Sequence, residues 1–276
     1  MPRSPSPSRL EAHADRIACE AGEWLRARFA GRRRIAYKGA IDLVTEADRG
    51  AERLIARRIR AAFPDHDILG EEKVNLDRGA RFRWIVDPLD GTVNYAHGYP
   101  IFGVSVAVAD RGTVVAGAVR VPMLQETFTA RRGGGARLNG RGIRVSRAAA
   151  LGRSLVATGF PYDLHENPGR IYHDLARVAQ RAQGLRRAGS ASFDLCCVAA
   201  GRFDGFWELR LHPWDVAAAS LIVEEAGGRM SDFRGGRFDV FGDEAVASNG
   251  RIHRELLRSL QGNESLERIL ARRFRN

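Results

Sequence analysis

The segment WIVDPLDGTVNY, residues 84–95, carries two carboxylates at the end of an apolar run. We expect a buried strand that ends at Asp87, with Asp90 three residues later on the same rigid platform. Two unpaired carboxylates held close together repel each other, and a hard divalent cation such as Mg²⁺ removes that cost. Gly91 and Thr92 would then open a helical turn whose free N–H groups suit an anion. The pattern D-P-x-D-G is also typical of a plain turn, so both interpretations stand at this point.

Three further segments supply acids with similar alternatives. In ILGEEKV, residues 68–74, adjacent acids cannot share a face. Either one of Glu71 and Glu72 points inward as a ligand, or both are surface residues. Asp215 lies in the first turn of a strongly apolar helix, where it complements the helix dipole or meets a partner at a buried helix start. Asp48 stands three residues after a threonine in the pattern of a helix cap, so capping is the alternative to a chemical role.

The bulk composition is typical of a globular chain. The 276 residues are 44% hydrophobic and carry a formal net charge of +11, with arginines spread among 33 acids. This charge fits solvated surfaces, attraction of anionic substrates or nucleic-acid binding. No membrane span is expected, because no apolar run reaches roughly 18–20 residues, and no secretory signal is expected, because no apolar segment follows residues 1–9. Three cysteines, Cys19, Cys196 and Cys197, argue against a disulfide framework and for a reducing, cytoplasmic location.

The elements that must position these acids begin with an antiparallel-rich half. Residues 1–9 are rich in proline and predict a disordered tail, and residues 10–145 predict an α+β subdomain that holds the acidic motifs. The elements expected there are helices over 10–30 and 46–63, a strand over 82–87, an antiparallel meander over 101–130 and a hairpin at Asn139-Gly140.

The second half of the chain alternates short apolar strands with helices. This pattern predicts an α/β subdomain over residues 146–262, followed by a basic helical extension over 263–276. The helices expected there cover 168–183, 191–200, 213–227 and 250–262. An antiparallel-rich half joined to an alternating half predicts a layered α/β sandwich of two subdomains.

Read together, four segments resemble the inositol monophosphatase family. They are DLVTEAD (42–48), GEE (70–72), WIVDPLDGTVNY (84–95) and HPWDVAA (212–218), with support from AGSASFDLCCVAAGRFDGFWEL (188–209). One such motif is weak, but four in the family's order are highly specific. The resemblance implies an αβαβα sandwich of the inositol monophosphatase and fructose-1,6-bisphosphatase type. It also implies Mg²⁺-dependent hydrolysis of a phosphate monoester.

The resemblance also implies which oxygens would bind the metals. Glu71, Asp87 and the backbone carbonyl of Leu89 would hold one Mg²⁺ ion, and Asp87, Asp90 and Asp215 would hold a second. Leucine is acceptable at position 89 because its main chain would be the ligand.

Catalytic and phosphate-binding roles follow by the same resemblance. Thr92 and Asp48 match the family's Thr–Asp pair, which would orient and deprotonate the attacking water, and Glu71 would assist. The N–H groups of Gly91 and Thr92 would hold the phosphate. Phosphoryl transfer needs a positioned nucleophile and charge stabilisation more than covalent help, which agrees with this set of residues.

Substrate contacts and partners are implied less directly. The expected substrate-binding residues are Asp90, Gly91, Thr92, Gly189, Ser190, Ala191, Glu208 and Asp215. Glu208 suits the hydroxyls of a polyol, which favours myo-inositol 1-phosphate. The alternatives are histidinol phosphate, fructose 1,6-bisphosphate and NADP, which related proteins hydrolyse. Relatives are commonly homodimers, and some bacterial relatives bind RNA or the transcription machinery, which gives a second hypothesis from another class.

Overall fold

The structure is a computed structural model that describes residues 4–29, 35–37, 43–161, 164 and 169–262. Residues 35–37 and 43–45 are described by their backbone. The predicted basic extension over 263–276 and Asp42 of the first family motif lie outside the described residues. No helix of the described residues is long and apolar enough to cross a bilayer.

The chain begins with an amphipathic helix whose apolar stripe is buried. The first elements are α1 (Pro7–Phe29), β1 (Ile35–Tyr37), β2 (Leu43–Thr45) and α2 (Glu46–Ala62). The helix α1 starts inside the segment 1–9 that was expected to be a tail, because a first turn starting at a proline loses no backbone hydrogen bond. The strands β1 and β2 pair with each other in antiparallel fashion, and the sequence analysis did not predict them.

The first large sheet holds most of the predicted meander. Its elements are β3 (Asp67–Gly70), β4 (Asn75–Leu76), β5 (Phe82–Asp90), a short helix α3 (Thr92–His97), β6 (Gly103–Asp110), β7 (Thr113–Val121), β8 (Glu126–Arg131), β9 (Ala136–Leu138) and β10 (Arg141–Gly142). The order of the strands is β10-β9-β8-β7-β6-β5-β3-β4, and β3 runs parallel to β5. The hairpin at Asn139 and Gly140 is confirmed, since both residues have positive φ angles, as a two-residue turn requires.

The second large sheet holds the later strands. Its elements are β11 (Leu155–Thr158), α4 (Gly169–Ala179), β12 (Gly184–Arg186), α5 (Ala191–Ala199), β13 (Gly205–Leu209), α6 (Pro213–Glu225), β14 (Arg229–Ser231), β15 (Glu244–Ser248) and α7 (His253–Leu260). The order of the strands is β12-β11-β13-β15-β14, with parallel pairs on either side of β11. The two large sheets therefore divide the described chain between residues 142 and 155, while the subdomain boundary at 145 stays a prediction.

The layers follow from where each apolar face is buried. Helices α1 and α2 cover one face of the first sheet, and α5 and α6 lie between the two sheets. Helices α4 and α7 cover the outer face of the second sheet. Helix α6 is buried on all sides from Val216 to Val223, as a helix between two sheets must be. The expected αβαβα sandwich is confirmed.

One strand boundary was predicted wrongly, and it bears on the acidic motif. The strand β5 does not end at Asp87 but continues to Asp90. Asp87 lies opposite Ser105 and Asp90 lies opposite Gly103, so β5 holds one extra residue between the two aspartates. Pro88 occupies this β-bulge, where its missing N–H group costs no hydrogen bond of the ladder.

Candidate active site

A cavity of about 840 Å³ opens where the ends of both sheets meet the helices α3, α5 and α6. Nearly all of the sequence-predicted site residues line it: Glu71, Asp87, Leu89, Asp90, Gly91, Thr92, Gly189, Ser190, Ala191, Glu208 and Asp215. The exception is Asp48, which is fully buried and reaches the cavity through Thr92. Residues far apart in sequence are thus brought to one place.

The carboxylate of Asp87 is buried among like charges. Its side chain is 2% exposed, and its Oδ1 atom accepts the Leu89 N–H at 2.9 Å. Burial raises the pKa of Asp87 well above its ordinary value, and the charges of Glu71, Asp90 and Asp215 raise it further. The four carboxylates therefore share one electrostatic environment, even though they come from three different segments.

Asp90 is held by the beginning of helix α5. Its Oδ2 atom accepts hydrogen bonds from the Ser190 hydroxyl at 2.7 Å, the Ser192 N–H at 2.7 Å and the Ser192 hydroxyl. Its Oδ1 atom accepts the Ala191 N–H at 3.2 Å. Burial raises the pKa of Asp90, while these hydrogen bonds oppose the shift. Because Oδ1 accepts a single hydrogen bond, it keeps a lone pair for a further ligand.

Asp215 both caps the beginning of helix α6 and faces the cavity. It forms a capping box with His212, whose N–H donates to Asp215 Oδ2 at 2.7 Å at the beginning of α6. The carboxylate nevertheless lines the cavity, and its pKa is raised well above normal by burial and by Asp90 and Glu71. Trp214 stacks on the His212 ring at 4.8 Å, which fixes the approach to this helix end.

Glu71 lies at the start of a turn whose backbone N–H groups donate to the buried Glu52 carboxylate. Glu52 of α2 is 3% exposed, and its two oxygens accept the N–H groups of Glu72, Lys73 and Val74 at 3.0–3.3 Å. These bonds fix the backbone directly after Glu71, whose side chain lines the cavity. The sequence analysis did not assign Glu52, because nothing in its helical pattern distinguishes it from a surface acid.

The contact between Thr92 and Asp48 is present as the resemblance implied. The Thr92 hydroxyl lies 3.0 Å from Asp48 Oδ1 and 3.1 Å from the Leu89 carbonyl oxygen. Thr92 is 4% exposed and Asp48 is fully buried. A hydroxyl has one proton, so the two acceptors share it.

The loop before α5 approaches the beginning of α3 very closely. Gly91 has a φ of +95°, and a Cβ atom there would lie 3.2 Å from the Gly189 carbonyl oxygen. The Asn94 amide donates to the carbonyl oxygens of Ile101 at 2.7 Å, Ala188 at 2.8 Å and Gly189 at 3.3 Å. Glycine at position 91 therefore lets the N–H groups of α3 and the α5 loop face the same cavity.

The wall of the cavity at the second sheet carries further charges. Burial raises the pKa of Glu208 well above normal, as do the charges of Asp215, Asp194 and Asp90. Asp194 is 1% exposed, lines the cavity and has an Oδ1 atom without a hydrogen-bond partner. Arg187 also lines the cavity and lowers the pKa of both acids. The sequence analysis assigned neither Asp194 nor Arg187, and an acid in the first turn of α5 was the available signal.

The donor atoms fit a hard divalent cation. They are carboxylate and carbonyl oxygens, which suit Mg²⁺ better than a soft metal. Buried carboxylates with mutually raised pKa values are stabilised when a cation offsets their repulsion. As the side chains stand in the described residues, no three His, Cys, Asp or Glu groups are gathered at ligand distance from one point. The fit therefore rests on the chemistry and shared environment of the donors.

Comparisons with known proteins identify the family of this chain. A sequence model described as the inositol monophosphatase family matches residues 6–265. The chain is 46% identical to the Nus factor SuhB of Pseudomonas aeruginosa over 232 residues, which cover 81% of this chain and 84% of that protein. It is 44% identical to an inositol-1-monophosphatase of Rhizobium meliloti over 229 residues, covering 82% and 86%.

A solved structure gives the same result. The extragenic suppressor protein suhB from Bartonella henselae superposes with a TM-score of 0.87 at 39% identity, covering 92% of this chain and 99% of that one. The family match spans nearly the whole chain, and members of this family are generally metal-dependent. The chain is therefore a phosphatase and belongs to the inositol monophosphatase family.

Proposed function

We propose that this chain hydrolyses a small phosphorylated polyol, myo-inositol 1-phosphate, by Mg²⁺-dependent attack of water on the phosphate. The observation that carries this proposal is the single cavity shared by Glu71, Asp87, Asp90, Asp215 and Glu208. Four of these acids have the chemistry to bind metal, and the fifth faces them from the second sheet. A relative named inositol-1-monophosphatase, 44% identical, supports this choice of substrate.

In this proposal the oxygens at the end of β5 bind the metal. Glu71, Asp87 and the Leu89 carbonyl would hold one Mg²⁺ ion, and Asp87, Asp90 and Asp215 a second. When bound, Mg²⁺ lowers the pKa of water and offsets the charge that develops on the phosphate oxygens. The hydrogen bonds from helix α5 hold the Asp90 carboxylate in a fixed orientation toward this place.

The attacking water is oriented by Thr92 and Asp48. The Thr92 hydroxyl donates to Asp48 Oδ1, so its oxygen lone pairs face the cavity as acceptors for the water. The buried Asp48 carboxylate then takes up the proton through the threonine hydroxyl, and Glu71 assists as a second acceptor. The N–H groups of Gly91 and Thr92 bind the phosphate, because the first turn of a helix leaves them without helical partners.

The leaving alcohol lies toward the second sheet. Glu208 accepts hydrogen bonds from its hydroxyl groups, together with Asp90 and Asp215. Ser190 and Ala191 line the cavity too, but they donate to the Asp90 carboxylate and so act on the substrate through it. Gly189 completes this wall with its backbone.

Phosphate release from a substrate panel tests this proposal. The panel is myo-inositol 1-phosphate, histidinol phosphate, fructose 1,6-bisphosphate and NADP, each with Mg²⁺ and with chelator. We expect the highest kcat/KM for myo-inositol 1-phosphate, no turnover with chelator, and loss of at least about a hundredfold in Asp87→Asn. The exposed Asp65→Asn serves as the matched control and should keep full activity. A higher kcat/KM for another ester would contradict myo-inositol 1-phosphate as the substrate. Near-normal turnover of Asp87→Asn would contradict the proposed metal-dependent mechanism.

A binding role on RNA or the transcription machinery is the second candidate. The 46% identical relative named Nus factor SuhB favours it, as does the net charge of +11. RNA binding measured between 50 and 200 mM salt should weaken steeply if phosphate contacts carry it. Asp87→Asn should bind RNA as the wild type does, because the Asp87 side chain is 2% exposed and is not available to an RNA backbone. Absence of binding at physiological salt would exclude this role.

We also propose a cytoplasmic homodimer, as the resemblance implies. The three cysteines carry no disulfide bond, and Cys196 and Cys197 are buried thiols of helix α5, which suits a reducing compartment. Light scattering should give a mass twice that of one chain. A monomeric mass across the micromolar range would contradict the dimer.

A further inference from the structure

Gly159 lies directly against the carboxylate of Glu208. A Cβ atom built on Gly159 would lie 2.1 Å from Glu208 Oε1, 2.2 Å from Cδ and 2.2 Å from Oε2. Such contacts are far below van der Waals separation, so the carboxylate fills the space where a side chain at position 159 would begin. Both residues line the cavity.

The register of the second sheet explains this contact. Strands β11 and β13 are parallel, and Thr158, the last residue of β11, pairs with Trp207, so Gly159 directly after β11 comes beside Glu208 of β13. The Thr158 hydroxyl donates to the Trp207 carbonyl oxygen at 2.8 Å and fixes this alignment. The φ angle of Gly159 is not in the left-handed region, so its backbone does not require glycine. The neighbouring carboxylate, at the far end of a flexible side chain, would have to shift to admit a Cβ atom there.

We infer that Gly159 is a positioning residue that determines specificity for alcohols with hydroxyl groups beyond the esterified one. Because glycine has no side chain, it leaves room for the Glu208 carboxylate against the cavity wall. The inference rests on the proposed role of Glu208 in binding the alcohol. A methyl group at position 159 would push the carboxylate away from the wall. Because Gly159 and Glu208 both line the cavity, a carboxylate displaced from the wall would enter the space that the alcohol occupies.

Gly159→Ala tests this inference through a split between substrates. With myo-inositol 1-phosphate, KM should rise about tenfold while kcat changes less than about threefold. With p-nitrophenyl phosphate, whose leaving group carries no hydroxyl beyond the reacting oxygen, KM should change less than about twofold. Gly142→Ala is the matched control, because that glycine also has an ordinary φ and nothing within 4 Å of its added Cβ. A KM increase of equal size for both esters would overturn the inference.

A double-mutant cycle tests whether the effect of Gly159→Ala on KM acts through Glu208. In the Glu208→Ala background, Gly159→Ala should have no further effect on KM, because the group that it displaces is gone. Glu208→Asp should restore part of the affinity in Gly159→Ala, since its carboxylate is one methylene shorter. If Gly159→Ala fails to fold, the double variant must fold; its failure as well would overturn the inference.

The failure of the proposed function has a different signature. If Glu208→Ala leaves KM for myo-inositol 1-phosphate unchanged, Glu208 does not bind the alcohol, and the proposed function loses that contact. The crystal structure of Gly159→Ala then tests separately whether Gly159 positions the Glu208 carboxylate. A carboxylate that keeps its place beside Ala at 159 contradicts it, and a carboxylate displaced into the cavity upholds it.

Discussion

The Thr92 hydroxyl and the Asp48 carboxylate meet 3.0 Å apart, although they are separated by 44 residues and belong to different helices. Asp48 lies in the first turn of α2, and Thr92 is the first residue of α3. Asp48, which fits a helix-capping pattern in the sequence, is thus also the buried hydrogen-bond partner of Thr92. A residue that looks like a helix cap in the sequence thus supports the cavity in the fold.

The first prediction concerns this pair. Thr92→Val removes the hydroxyl while keeping the shape, so kcat should fall about a hundredfold or more, with a smaller change in KM. Thr92→Ser keeps the hydroxyl and should retain activity within about tenfold. Steady-state kinetics with and without added Mg²⁺ measure both. Equal losses in the two variants would show that the methyl group, not the hydroxyl, is what matters.

The second prediction concerns the like charges around Asp87. Its pKa in the folded protein is raised, so this carboxyl group destabilises the fold at neutral pH; the penalty shrinks once the pH falls below the folded pKa and is gone only below the unfolded pKa. Asp87→Asn mimics the neutral form. In chelator, the variant should therefore unfold with a free energy about 1 kcal/mol or more above that of the wild type.

Added Mg²⁺ should reverse this order. The ion stabilises the wild type by mass action and binds the variant weakly, so the wild type becomes the more stable protein at millimolar Mg²⁺. Urea unfolding with and without Mg²⁺ is the measurement. A variant that is less stable than the wild type in chelator would contradict the repulsion argument.

The third prediction concerns Glu52. Glu52→Gln replaces one accepting oxygen by a donor that faces the N–H groups of Glu72, Lys73 and Val74. The free energy of unfolding should fall by about 1–3 kcal/mol. Affinity for Mg²⁺ should fall too, because the turn after Glu71 loses its fixed backbone.

Its matched control is Glu20→Gln. Glu20 forms an ion pair with Arg58 in which both side chains are exposed, so this substitution should change stability by less than about 0.5 kcal/mol. Urea unfolding and Mg²⁺ titration by calorimetry compare the two variants. The argument fails if Glu52→Gln binds Mg²⁺ as tightly as Glu20→Gln does.

The fourth prediction concerns His253. Its ring nitrogens contact the hydroxyls of Ser231 and Ser248 at 2.9 Å, and the side chain is 1% exposed. Burial lowers the pKa of His253 to about 4, and the charge of Arg229 contributes. The unfolded chain therefore takes up a proton near pH 6.5 that the folded protein takes up only near pH 4. Stability from this group is complete above pH 6.5 and is lost as the pH falls toward 4.

Urea unfolding at pH 7 and pH 4.5 checks this sign. The wild type should lose about 2 kcal/mol more than His253→Gln between the two values, because glutamine does not titrate. The exposed His97→Gln provides the matched control and should lose as much as the wild type does. If His253→Gln loses as much as the wild type, the histidine is not the group responsible.

Local patterns predicted the helices and the meander, whereas the order of the layers and the roles of the acids came from the resemblance to the family. Apolar spacing located the long helices, and runs of β-branched residues located the meander. The bulge at Pro88 was missed, since only the register against β6 reveals the extra residue. The strands β1 and β2 are three residues each, which is too short for a periodic signal.

Positioning residues were the hardest to predict. Glu52 reads as one more polar residue of an amphipathic helix until its contacts with the turn after Glu71 are known. Gly159 has no special backbone angle, so its need for glycine arises from Glu208 on another strand. Asp194 is buried among charges that come from distant segments. These roles exist only in three dimensions, and no spacing rule along the chain encodes them.

The hydrogen bonds from Ser190 and Ser192 to Asp90 close loops of 100 and 102 residues. Closing a loop of that length costs about 4 kcal/mol of chain entropy, so we expect these contacts to form late in folding. The hydrogen bonds of Asp90 can therefore form only when the two halves of the chain join. A chain whose halves have folded but not joined has no organised cavity. Refolding should restore the overall secondary structure before it restores hydrolysis.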